Sequence, residues 1–384
     1  MSYPSVDKIQ KTLAENVFHY AKDSKKASGR ALGTLIEIIT FYLIKDWGFE
    51  SSVRIEKGLI EYLNEEISHN VEYTIHPVTK KIEITIEKKL PMTTTKIFSH
   101  LVKNGLVEKY GWENYEVKSS SLLSIEGTLR NACVLAQGLT TSLIAVLKKD
   151  NQTELVLEIT EQIEKPFAMF ECKRVGVEEG MKKGPQTIEK AKQGAYVART
   201  VSSLQKIRNI NGKVFGALPI GDGSFRFGEF NELLEEVVDS SDKLVYANFI
   251  LTVGFVSNHG NWFTADIHNK ELRVLSNAYD WLLFLTDRGL AIFIDELLLN
   301  PKPEYLPVQK AFLGSYDGQK GVKKVYGKNQ FTKVQINEKA DLLLQKYFRE
   351  KREDIKTWIN VISPKNINID ELKKQITKLS KKDW

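Results

Sequence analysis

Hydrophobic positions in the first fifty residues recur at helical spacing. Val6, Ile9, Leu13 and Val17 form one stripe, a polar basic link runs from Lys22 to Arg30, and Leu32, Leu35, Ile36, Ile39 and Leu43 form a second stripe that Gly48 can cap. From about residue 50 to 125 the texture changes. Val71 to His76 and Lys81 to Glu87 alternate strictly around Pro77-Val78-Thr79-Lys80, which predicts an antiparallel hairpin with one wet face. Thr93 to Lys109 returns to helical spacing, with a cap at Gly105. Ser142 to Leu147 and Glu154 to Ile159 read as strands around a turn at Asp150-Asn151-Gln152. Polar residues Thr160 to Lys165 then turn the chain into an apolar strand, Phe167 to Lys173, completing a three-stranded meander. Beyond it the pattern predicts a helix over Thr187 to Ile207 bearing Lys190, Lys192, Arg199 and Lys206. A buried strand (Leu244 to Val256), a polar loop (Ser257 to Trp262), a helix around Ala278 to Leu285 and a lysine-rich helical segment from about Glu338 follow.

Composition narrows the class. The 384 residues suffice for one large domain or two modest ones, and 42% hydrophobic with 27% charged residues is the balance of an ordinary globular protein. No apolar run approaches a membrane span and Met1-Ser2-Tyr3-Pro4 lacks a signal-peptide pattern, so a cytoplasmic location without a membrane partner is expected. Cys133 and Cys172 offer neither a disulfide framework nor zinc spacing and are expected to be buried thiols; His259 and His268 lack further ligands. Gly221-Asp222-Gly223-Ser224 reads as a turn. The net charge of +6 suits a polyanionic partner.

The chemistry concentrates at the end of the apolar strand, in Glu171-Cys172-Lys173. Acid-x-Lys recurs along the chain at Glu116-Val117-Lys118 and Glu371-Leu372-Lys373, but only here does it close a non-polar strand. With the preceding turn centred between Ile163 and Glu164, Glu154 pairs with Lys173 and Val156 with Glu171, placing Glu154, Glu171 and Lys173 on one face. Two carboxylates and an ammonium make either a structural ion pair or a hard-oxygen site of the kind Mg²⁺ prefers. Glu37, set among Leu35, Ile36, Ile38 and Ile39, is either a partly exposed helix acid or an acid aimed at that site.

Glu37 in an early helix, Glu154 on one strand, Glu171-Cys172-Lys173 on the next and a basic helix afterwards resemble the PD-(D/E)XK nuclease superfamily, and the size and the stretch from Glu171 to Tyr196 resemble a type II restriction endonuclease. The resemblance implies an α/β fold with a restriction-endonuclease-like α/β/α core around a central mixed β-sheet. Residues 1–50 would be helices of that core, 51–125 an inserted α+β subdomain, 126–300 the catalytic core and 301–384 a largely helical C-terminal segment. It further implies Mg²⁺ held by Glu171 and an upstream acid, either Glu154, which the register favours, or Asp150. Lys173 would be the catalytic lysine and Glu37 an auxiliary acid; the substrate would be double-stranded DNA and the enzyme a homodimer. Gln193 and Tyr196 are three apart rather than the four seen in some such nucleases. For DNA, Arg174, Lys182 and Lys183 would contact phosphates, and Asn258, His259, Asn261 and Trp262 bases. Two other readings stay open: a structure-specific or repair nuclease of the same fold, and a non-catalytic DNA-binding regulator using residues 93–109, which resemble a winged helix-turn-helix.

Overall fold

The computed structural model describes residues 5–19, 23–176, 194–208, 213–220, 223–258, 270–316 and 330–384. The predicted Lys182, Lys183, Gln193, His259, Asn261, Trp262 and His268 lie outside them.

The chain opens with helices Val6–Asn16 and Ser24–Asp46. The Asp23 side chain accepts the Lys26 N–H at 2.9 Å, so the second helix begins within the link expected to stay irregular. It ends where predicted, at Gly48 with φ +94°. By length and composition this helix could cross a membrane, but 67% of its most apolar window is buried inside the molecule, as in a core helix.

A six-stranded mixed sheet lies beside it, in the order Val53–Glu61, Asn64–Ile75, Ala168–Val175, Leu251–Asn258, Trp281–Leu285, Ile359–Ser363. The middle three strands run parallel and the flanking pairs antiparallel. Phe170 and Cys172 pack with helix Ser24–Asp46 in the larger core cluster, whereas Met169 packs with Ala195, Val201 and Tyr279 in a second. The sheet is therefore covered on both faces. Trp281–Leu285, expected to be helical, is a strand with every residue buried; a run apolar on both faces carries no period to read.

A second, five-stranded sheet is formed by Val78–Glu87, Glu154–Ile163, Thr141–Asp150, Cys133–Gln137 and Glu116–Val117. Its apolar cluster takes Ile97, Leu101 and Val107 from helices Thr94–Lys103 and Leu106–Tyr110, which Gly105 at φ +65° separates. Asn64–Ile75 and Val78–Glu87 thus do not form the predicted hairpin: the chain passes between sheets at His76-Pro77. Residues 53–75 belong to the core sheet, and the insertion between its second and third strands starts at Val78 rather than at residue 51.

The meander is also corrected. Glu154–Ile163 is paired on one edge by Thr141–Asp150 and on the other by Val78–Glu87, which leaves no edge for Ala168–Val175. That strand pairs instead with Asn64–Ile75 and Leu251–Asn258. The helix predicted to Ile207 has ended by residue 200; Gln205–Arg208 starts a three-stranded sheet with Val214–Pro219 and Phe225–Glu229. The C-terminal segment contains helices Glu338–Glu350 and Ile369–Ser380, but also the edge strand Ile359–Ser363.

Candidate active site

Asn64–Ile75 and Ala168–Val175 are hydrogen-bonded over three residue pairs, Ile75 with Ala168, Thr74 with Met169 and Tyr73 with Phe170. There the strands part. Glu72 and Glu171 are the next residue on each side, so the fork opens on two carboxylates. The Glu72 N–H, without a ladder partner across the fork, donates to Glu171 Oε2 at 3.3 Å, while Glu171 Oε1 pairs with Lys173 Nζ at 2.7 Å. Strand alternation puts Glu171 and Lys173 on the face of Met169. Glu171 is 5% exposed, and Lys173 reaches toward solvent with a third of its side chain accessible.

Two further acids extend the row. Glu56 lies in the hairpin register between Ile55–Tyr73 and Lys57–Val71, opposite Glu72, with φ +53°. A left-handed conformation at a non-glycine residue in a strand costs about 1–3 kcal/mol, and such strain gathers at functional sites. Glu37 comes from the long helix, whose orientation is fixed by the Tyr73 hydroxyl donating to the Glu37 carbonyl at 2.7 Å. The ammonium of Lys333 joins these acids, 3.4 Å from Glu37 Oε2, 3.2 Å from Glu56 Oε1 and in contact with Glu72 Oε2. Lys333 is held by the inserted part: its carbonyl accepts from Asn131 Nδ2 at 2.9 Å, and Gln335–Asn337 pairs with Thr128–Arg130.

Four carboxylates therefore face two ammonium groups, a surplus of two negative charges. Burial pushes the Glu171 carboxyl above its ordinary range, and Lys173 offsets this only in part. Burial likewise raises Glu37, against Lys333, and the neighbouring Glu56 and Glu171 add to the rise. Among the described residues no set of three or more His, Cys, Asp or Glu already stands at metal-ligating spacing; Lys333 occupies the centre of the acids. By charge and donor chemistry the site nonetheless fits a divalent cation, since its ligands are hard oxygens and its surplus equals that ion's charge.

Of the residues predicted for the site, the structure brings Glu171, Lys173 and Glu37 into this neighbourhood but not Glu154. That residue is exposed at the start of its strand in the second sheet, opposite Glu87. Asp150 is in the same sheet, paired with Lys88 at 2.5 Å. Arg174 is turned inward, donating to the Gly29 carbonyl at 3.0 Å and Gln10 Oε1 at 3.2 Å. Asn258 is buried and donates to Asp287 Oδ1 at 2.9 Å. Tyr196 is half exposed against the His69 ring. Glu72, Glu56 and Lys333 were missed. The alternation in Val71 to His76 did mark Glu72 as lying on a strand, but that strand was paired with the wrong neighbour.

Comparison with protein-family models, curated proteins and solved structures gives no match to this chain.

Proposed function

We propose that the protein is a Mg²⁺-dependent nuclease that hydrolyses phosphodiester bonds in double-stranded DNA, with Glu72, Glu171 and Lys173 as its central residues and Glu37 as an auxiliary acid. The observation that carries this reading is the strand fork, where the buried carboxylate of Glu171, the half-buried carboxylate of Glu72 and a reaching lysine meet with a negative surplus of two. Glu72 takes the role that spacing assigned to Glu154.

Glu72 and Glu171 would hold the cation, with Glu37 and Glu56 adding negative potential around it. Mg²⁺ supplies a Lewis acid for a phosphate oxygen and a lowered pKa for a bound water. Lys173 starts from its pair with Glu171 and has solvent on its other side, so its ammonium can turn to a phosphate oxygen and stabilise the charge that develops there. Release of the Lys333 ammonium from Glu72 frees the oxygens that the cation requires. The sequence resemblance supports the finer assignment, a type II restriction endonuclease acting as a homodimer on a specific site.

The test is incubation of a long bacteriophage DNA with the protein, in Mg²⁺ and in EDTA, beside Glu171→Ala and Lys173→Ala. Discrete fragments that need Mg²⁺ and vanish in both variants are expected. Intact DNA in every lane across a range of salt would overturn the reading. Cutting confined to branched or damaged DNA would leave the chemistry and replace the restriction role with a structure-specific one.

A further inference from the structure

Tyr279 reaches the same fork on the Met169 face of the sheet, from across Leu251–Asn258. Its backbone N–H donates to the Leu275 carbonyl at 3.0 Å, and its own carbonyl accepts from the half-buried Lys206 side chain, so the residue is fixed at its base. Its ring crosses Leu251–Asn258 at Gly254, the residue paired with Glu171. A Cβ at Gly254 would stand 2.7 Å from a ring carbon, too close for any other residue type without displacement. At the outer end, the position of a Cβ on Gly194 lies 2.6 Å from the Tyr279 hydroxyl and 3.4 Å from both Glu171 Cγ and Lys173 Cε. The hydroxyl and both side chains therefore border the same glycine, and two glycines keep its path clear.

Tyr279 is 1% exposed, and its hydroxyl has no hydrogen-bond partner among the described residues. A buried hydroxyl left unpaired destabilises the fold, and phenylalanine would fill the same space without that cost. Burial, with Glu171 and Cys172 nearby, pushes the phenol well above its ordinary value, so the group is a donor at neutral pH. Glu171 is the adjacent acceptor, and Lys173 must leave it to reach substrate.

We infer that Tyr279 is a positioning residue for Glu171: when Lys173 turns to a phosphate oxygen, the Tyr279 O–H donates to the Glu171 carboxylate and holds it in the orientation that takes up the cation. This rests on the nuclease reading of the fork. A hydrogen bond that orients a metal-ligating carboxylate is worth about 10–100-fold in metal affinity or activity.

The experiment measures Mn²⁺ binding by electron paramagnetic resonance for the wild type, Tyr279→Phe and Glu171→Ala, with thermal unfolding and DNA cleavage on the same preparations. For Tyr279→Phe the expected result is Mn²⁺ affinity and cleavage each about 10–100-fold lower, with an unfolding midpoint equal to or above that of the wild type. Wild-type affinity and cleavage in Tyr279→Phe would overturn the inference while leaving the site intact, provided Glu171→Ala loses Mn²⁺. A midpoint that falls together with affinity would reduce Tyr279 to a packing role and also overturn it. Wild-type Mn²⁺ affinity in Glu171→Ala would remove the site reading itself, and this inference with it.

Discussion

Two groups of buried and half-buried acids in this molecule differ in their surroundings. Along Glu154–Ile163 and the link that follows, each buried acid has its partners. Glu161 accepts from the Trp112 indole at 2.6 Å and pairs with Lys80 at 2.9 Å; Glu158 pairs with Lys81 at 2.6 Å. Glu164 meets Arg54 at 2.7 Å as well as Lys57 and Ser142. Burial would raise the Glu164 carboxyl, but these partners outweigh it and hold it down at about 2. At the fork burial wins, and Glu37 and Glu171 are raised. Matched charge is the mark of a structural joint, here the one tying the second sheet to the first. Unmatched charge is tolerated where a ligand completes it.

Removing an acid from each region should have opposite effects. Glu72→Ala should slow DNA cleavage at least about 100-fold, because a proposed direct ligand is lost, while leaving the unfolding midpoint unchanged or higher because a surplus charge is gone. Glu161→Ala should do the reverse, costing about 2–4 kcal/mol through the orphaned Trp112 and Lys80 groups with cutting preserved. Denaturant unfolding and a plasmid-cleavage time course on both variants measure the contrast. A Glu72→Ala protein that cuts at the wild-type rate would erase it.

Arg54 sharpens the structural half. It is buried, its Nε donates to Gln162 at 2.8 Å and its Nη1 to Glu164, so Arg54→Met should cost about 3 kcal/mol. The same pair sets a pH dependence. Glu164 has a folded pKa of about 2 against its ordinary 4.5, so its contribution is fully present above pH 4.5 and is lost as pH falls from 4.5 towards 2. Allowing for solvent screening of a half-buried group, that contribution is about 1–2 kcal/mol. Glu164→Gln should therefore be less stable than the wild type at pH 7 by that amount and converge with it near pH 2 in urea titrations.

Lys333 is where the two regions meet, since Asn131 fixes it to the inserted part while its ammonium lies among the fork acids. Lys333→Met should lower stability by about 1 kcal/mol in EDTA, as the surplus rises from two charges to three. Mg²⁺ should then restore more stability to the variant than to the wild type, because a ligand that binds the folded state stabilises it in proportion to its occupancy. Differential scanning calorimetry in EDTA and in Mg²⁺ reads both effects. An equal Mg²⁺ response in the two proteins would show that Lys333 does not compete with the cation.

How far the site could be read from the chain depended on the kind of signal. Glu171 and Lys173 were legible because charge at the end of an all-apolar strand is a local contradiction, visible without knowing the strand's neighbours. Glu37 was legible for the same reason within an apolar helix stripe. Glu72 was not, because Val71 to His76 alternates like any half-buried strand, and only the pairing across nearly a hundred residues gives its acid a meaning. Lys333 comes from later still and carries no pattern. The fold followed the same rule. The hairpin of Thr141–Asp150 with Glu154–Ile163 forms as read, around a turn closed by the Asn151 N–H on the Glu154 carbonyl at 2.9 Å. Long-range pairing decided which sheet each remaining strand joined.

The smallest expected effect tests the correction itself. Glu154 is exposed and directly opposite Glu87, and like charges facing each other across a strand pair repel. Glu154→Gln should therefore be neutral or stabilising by a few tenths of a kcal/mol, with DNA cleavage and Mn²⁺ affinity at wild-type levels. The alternation that made Glu154 attractive also puts the preceding hairpin residues on two faces, so its spacing to Lys173 was satisfied by a sheet that does not exist. Loss of cutting in Glu154→Gln would bring the two strands back into one site and dissolve the distinction between the matched and unmatched acids.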